Sequence, residues 1–124
     1  ALNQIGWVQA LLGQYDEART NCEAALKLQH ELGCVTGEIQ DSLGYIEEHS
    51  GRLAEAVNWY REAIAVFESA GDTYNIATTL IQLGRACAAL GDTEDAQAAW
   101  RQALQLCRVQ QRGNDVANLK RLLG

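Results

Sequence analysis

Leu83-Gly84-Arg85-Ala86-Cys87-Ala88-Ala89-Leu90-Gly91-Asp92-Thr93-Glu94-Asp95-Ala96-Gln97-Ala98-Ala99-Trp100-Arg101-Gln102-Ala103-Leu104 decides the architecture. Gly84 lies inside an alanine-rich run that reads as helix, and Gly91 ends that run by offering a left-handed backbone. After a short acidic turn, Ala96, Trp100 and Ala103 recur at spacings of four and three, which is one face of a second helix. The stretch is two antiparallel helices joined by a tight turn.

The same words stand twice upstream. They read Ile5-Gly6…Gly13-Gln14-Tyr15-Asp16-Glu17-Ala18…Cys22…Ala25-Leu26, and then Leu43-Gly44…Gly51-Arg52-Leu53-Ala54-Glu55-Ala56…Tyr60…Ala63-Ile64. The period is about 40 residues, the mark of stacked helix pairs. A glycine inside a helix costs about 1 kcal/mol against alanine, so Gly6, Gly44 and Gly84 need a reason, and close approach of the partner helix supplies one. Gly33, Gly71 and Gly113 are expected to close the second helices, and Asp72 and Asp92 to cap the N-termini that follow. The expected helices lie near 2–12, 15–32, 36–50, 53–70, 73–90, 93–112 and 115–123. That places repeat 1 over about 1–33, repeat 2 over about 34–71, repeat 3 over about 72–113, and a terminal helix over about 114–124, whose Lys120 and Arg121 suit a C-terminal cap.

Composition agrees with an all-α array. The 124 residues include no Pro, and the formal charge is −6, which disfavours the phosphate contacts that dominate nucleic-acid affinity. No stretch approaches the roughly 18 apolar residues of a membrane span, so neither membrane nor direct nucleic acid is expected as a partner. Cys22, Cys34, Cys87 and Cys107 lack the spacing of a metal or redox motif and read as free thiols of a reducing, cytoplasmic compartment. Cys22 and Cys87 fall on buried stripes, whereas Cys34 and Cys107 lie near helix ends where partial exposure is expected. The chain has no Met and is expected to be part of a longer polypeptide.

Enzymatic chemistry fails on inventory. There is no phosphate-binding glycine loop, no HExxH and no nucleophile elbow, and no cofactor or metal is expected. His30 and His49 read as solvated helix residues. Glu47-Glu48 and Glu94-Asp95 are adjacent on helices, about 100° apart, so they do not converge and read as solvated or as helix N-termini.

The apolar-Gly pair, the Gly-x-aromatic turn and the Ala, aromatic, Ala stripe resemble the tetratricopeptide repeat. The resemblance covers nearly the whole chain and implies a right-handed superhelix of antiparallel helix pairs. The missing Pro and the long units are more similar to the long-repeat branch that includes kinesin light chain and bacterial regulators. Asp41-Ser42-Leu43-Gly44-Tyr45, Gly71-Asp72-Thr73-Tyr74-Asn75 and Ala98-Ala99-Trp100-Arg101-Gln102-Ala103-Leu104 further resemble the C-terminal arrays of actinobacterial SARP and NB-ARC-type transcriptional regulators. That narrower resemblance implies a sensory or autoinhibitory role.

In the family the first helix of each pair lines the concave, ligand-taking side. That role falls here on Asn3 and Trp7, on Asp41 and Tyr45, and on Ile81 and Arg85, with Ala10, Glu38, Glu48 and Thr78 one turn away. Trp7 and Tyr45 make an aromatic shelf there, or else they pack between repeats. Asp41, Glu38 and Glu48 form a negative edge, with Arg85 a lone positive charge. The expected partner is a protein or peptide segment with a basic residue and an apolar anchor, a neighbouring domain of the same protein included. A structural element that stacks through its ends, as in a homodimer, and a receptor for a signalling peptide are the alternatives. Trp100 is assigned to the core, and Trp59 to the edge of the same stripe.

Overall fold

A computed structural model describes residues 14–124. Over these residues the chain forms α1 (Tyr15–Leu32), α2 (Glu38–His49), α3 (Leu53–Ala70), α4 (Thr73–Leu90), α5 (Thr93–Val109) and α6 (Gly113–Leu123), with no strand among them. Each helix packs on its neighbours in the chain, and α2 also touches α4. The architecture is therefore an α-solenoid: α2–α3 and α4–α5 are helix pairs, α1 is the second helix of the preceding unit, and α6 the first of the next. The expected helix at 2–12 and the residues Asn3, Gly6, Trp7, Ala10 and Gly13 lie outside the described residues.

The spacing of small residues sets how closely the helices pack. Ala56, Tyr60 and Ala63 of α3 are fully buried, as are Ala103 and, nearly so, Ala96 and Trp100 of α5. The two aromatic rings lie on the mid-helix glycines of the preceding helices. A Cβ on Gly44 would stand 2.5 Å from Tyr60 Cδ1, and one on Gly84 would stand 2.5 Å from Trp100 Cδ1. No rotation of a ring held on both sides removes such an overlap. The interior-glycine cost is thus offset by contact between an aromatic face and bare backbone, and Trp100 adds a hydrogen bond from its indole N–H to the Ile81 carbonyl at 3.3 Å.

Two linked cores result. One runs through α3 to α6 around Tyr60, Leu80, Leu83, Trp100 and Leu119. The other joins α1 and α2 around Cys22, Leu26, Ile39, Leu43 and Ile46, with Tyr45 and Trp59 packed against its edge. Beside this second region lies a buried polar side chain without partners: Gln40 is 1 % exposed, and neither atom of its amide has a hydrogen-bond partner. One repeat later the same position, four residues before the mid-helix glycine, holds Leu80.

Three element ends depart from the sequence expectation. α2 starts at Glu38 rather than 36, because Gly37 holds φ +89. α5 ends at Val109 and not near 112, and Gly113 does not close it but opens α6. The closing left-handed residue is Gln111, at φ 56. The Arg112 amide bonds the Cys107 carbonyl at 2.9 Å, just as Asp72 bonds Phe67 at 3.0 Å one repeat earlier. The turn geometry is conserved between repeats, and the residue at its left-handed position changes from Gly71 to Gln111. Of the two expected N-caps, Asp72 accepts from the Asn75 amide at 3.1 Å, whereas Asp92 makes no side-chain cap bond.

Two substitutions test this packing. Gly84→Ala is expected to lower stability by about 1–3 kcal/mol through overpacking against Trp100, measured by urea denaturation. Gln40→Leu is expected to raise it by about 1–3 kcal/mol, since it removes a buried amide that lacks partners; a lower melting temperature would show that the amide is satisfied in solution.

Candidate functional site

Asp41, Tyr45 and Glu48 stand at spacings of four and three along α2, and Thr78, Ile81 and Arg85 at three and four along α4. Each set is therefore one helical stripe. The two stripes are brought together. The Arg85 guanidinium donates from Nε to Glu48 Oε2 and from Nη2 to Glu48 Oε1 at 2.9 Å. The buried Tyr60 hydroxyl donates to the same Oε1 at 2.7 Å. Thr79 of α4 donates its hydroxyl to Asp41 Oδ1 at 3.2 Å.

These contacts revise the charge pattern expected from sequence. Arg85 is not a lone cation, and Glu48 is not a free edge; each holds the other across the helix interface. The Glu48 carboxylate raises the pKa of Arg85 above its ordinary value. Burial, with the Glu48 carboxylate next, pushes the Tyr60 phenol well above its usual range. Asp41 is affected differently. Burial pushes its carboxyl up to about 6; the Thr79 hydroxyl pulls it down, Glu38 pushes it up, and Arg85 pulls it down. Glu38 is exposed and carries the negative charge of this end of the face.

Tyr45 is half-buried, with its ring stacked on His49 at 3.8 Å between centroids. His49 is exposed, as expected, and its Nδ1 lies 2.9 Å from the Tyr45 carbonyl. Tyr45 thus combines the two sequence alternatives, packing against the α1–α2 core and presenting an edge to the stripe. Ile81 is half-buried against the larger core. Thr78 is committed elsewhere: its hydroxyl accepts from Arg112 Nη2 at 2.8 Å.

Sequence reasoning missed two arginine clusters. Arg112 lies 4.3 Å above the centre of the Tyr74 ring, donates to the Tyr74 carbonyl at 3.2 Å and pairs with Asp115 at 2.9 Å. It staples α4 to the start of α6. Glu47 was expected to be solvated, yet it is 2 % exposed. It is paired with Arg19 of α1 and with Arg52 at 3.1 Å. Spacing alone puts Glu47 four residues after Leu43, on the buried stripe, and that was the available signal. Glu94 and Asp95 are exposed at the start of α5, as expected. None of the four cysteines forms a disulfide, and Cys107 is fully buried rather than partly exposed. Burial raises the pKa of Cys22 to about 11 and also raises those of Cys87 and Cys107, so these three are poor nucleophiles. Among the described residues no group of three metal-ligating side chains gathers, and no helix is long and apolar enough to cross a membrane.

Two family models, each described as a tetratricopeptide repeat, match residues 35–108 and 1–31. The chain belongs to the tetratricopeptide repeat family. No curated protein matches it. Two solved structures of PcrH resemble this repeat array. One holds the chaperone binding region of PopB, with 20% identity, a TM-score of 0.83, and coverage of 98% of this chain and 91% of that one. The other holds the chaperone binding region of PopD, with 20% identity, a TM-score of 0.82, and coverage of 98% and 85%. At that identity the likeness is one of fold.

Asp41 gives the stripe a pH signature. Its folded carboxyl keeps a proton to higher pH than the unfolded one, so its contribution favours folding below about 4 and is lost as pH rises to about 6. Asp41→Asn can still accept from Thr79. It is expected to match the wild type near pH 4 and to exceed it at pH 8 by roughly 1–3 kcal/mol. Denaturation curves at the two pH values check this, and an equal difference at both would mean that Asp41 ionises without cost.

Proposed function

We propose that the array is a protein-interaction module that holds a segment of a partner protein along the stripes of α2 and α4. The observation that carries this reading is the polar and aromatic face at Glu38, Tyr45 and Arg85. Arg85 is fixed by its bonds to Glu48 across the helix interface and Tyr45 by stacking on His49, so these two need little ordering when a partner binds. The PcrH structures support an interaction role, since a protein of the same fold holds segments of partner proteins. Glu38 and the carboxyl of Asp41 favour a basic residue in the partner, and the Tyr45 ring favours an apolar one.

In the finer form of this proposal, the division into repeats over 1–33, 34–71 and 72–113 belongs to the sensory or autoinhibitory array of a larger cytoplasmic transcriptional regulator, with a neighbouring domain as one partner. The support for this is the short sequence words shared with actinobacterial regulators.

The test is capture of partners from an actinobacterial lysate by the wild type, by Tyr45→Ala and by Glu38→Lys, with Arg101→Ala on α5 as the control. Retention of a specific protein is expected to fall about tenfold in the first two variants, as for loss of an interface anchor, and to persist in the control. Unchanged retention by variants that melt like the wild type would move the binding face elsewhere.

A further inference from the structure

The side of α4 turned away from the proposed groove lines a second feature. The pair Ile76 and Leu80 is centred about 140° round the helix from the pair Ile81 and Arg85. With Ile64 of α3 and Leu106 of α5 they floor a crevice of about 290 Å³. Its rim is polar, formed by Glu68, Gln102 and Gln105. None of these three side chains makes a hydrogen bond or ion pair with another described residue. Gln102, Gln105, Leu106 and Val109 follow one another along a single face of α5, so the apolar floor continues outward to Val109. That valine is 83% exposed, more than any other large apolar side chain among the described residues.

The crevice is not a general product of repeat packing. Aligning Gly44 with Gly84 and Ala63 with Ala103 puts Thr36 and Gln40 where Ile76 and Leu80 stand, Ala65 where Gln105 stands, and Ser69 where Val109 stands. At three of these positions a polar residue gives way to an apolar one, and at the fourth an alanine gives way to the Gln105 amide of the rim. Neither the fold nor the mid-helix glycines require that change, and exposing a valine beside an apolar floor disfavours solubility unless something covers it.

We propose that this crevice binds an extended segment of a partner protein carrying an aliphatic side chain with a lysine or arginine close by. The floor has room for one or two aliphatic side chains and is too small to enclose a drug-sized ligand. The Gln102 and Gln105 amides each offer a donor and an acceptor, which suits the paired N–H and C=O groups of an extended main chain. The Glu68 carboxylate has no cation beside it, and it selects a basic residue next to the aliphatic anchor. This surface is separate from the stripes of α2 and α4, and either can fail without the other.

Synthetic peptides test the proposal by amide chemical-shift titration of the whole 124-residue chain. Ac-Ser-Lys-Ser-Leu-Ser-Gly-NH2 is expected to shift the signals of Glu68, Gln102, Gln105 and Leu106, and to leave those of Tyr45 and Arg85 in place. Replacing the peptide leucine by serine is expected to weaken binding about tenfold, in keeping with the loss of a buried aliphatic side chain. Glu68→Lys, an exposed and fold-neutral change, is expected to reverse the preference, so that Ac-Ser-Glu-Ser-Leu-Ser-Gly-NH2 binds in place of the lysine peptide. Absence of shifts at the crevice, equal binding of the serine peptide, or an unaltered charge preference in Glu68→Lys would each overturn the proposal.

Discussion

A ring lying flat on bare backbone is the contact from which the rest of this structure follows. Tyr60 on Gly44 and Trp100 on Gly84 set the distance between the helices of each pair, and that distance decides what else can touch. Because α3 comes so close to α2, the Tyr60 ring covers Gly44 and its hydroxyl reaches Glu48 one turn further along the same face. Because α5 comes so close to α4, the Trp100 indole reaches the Ile81 carbonyl. The alanines at 56, 63, 96 and 103 serve the same end, since any larger side chain at those positions would hold the pairs apart. One side chain thus links the core to the stripes of α2 and α4: the phenol that fills the space over Gly44 also orients the carboxylate that holds Arg85.

The pattern that made the fold legible in the sequence is this same contact. A glycine inside a helix and an aromatic residue sixteen positions later, at 44 and 60 and again at 84 and 100, record a steric fit that few other arrangements would need. The stripes on α2 and α4 followed from register, and those helices do place Asp41, Glu48 and Arg85 side by side. The pairing of the charges was not legible. Whether Arg85 faces solvent or Glu48 depends on two helices thirty-seven residues apart in sequence, and a spacing rule applied to one helix does not contain that distance. Gly113 misled for a different reason. Glycine usually marks a left-handed helix end, but the physical requirement is the backbone angle, and Gln111 meets it at some cost in strain.

The face formed by α2 and α4 is less acidic than its residue types suggest. Glu48 is neutralised by Arg85, Asp41 is shielded by burial, and Glu47 lies beneath the surface between Arg19 and Arg52. The exposed charge that remains is Glu38 at one end and, on α6 in the register of Ile81, Arg121 at the other. A chain with an overall charge of −6 therefore presents a stripe of mixed polarity along its first helices, and its acidity resides mainly on the outer helices and turns.

The junction between α5 and α6 brings a strained link and a clamp together. Gln111 is held in a backbone region that disfavours side chains, while the next residue, Arg112, grips Tyr74, Thr78 and Asp115 at once. In a solenoid whose helices touch mainly their chain neighbours, stability is passed along link by link, and opening begins at the weakest link. The link from α5 to α6 then behaves as a latch whose catch is one arginine. Release of Arg112 would let the strain at Gln111 relax and loosen α6 from α4, while the glycine-centred pairs upstream remain closed.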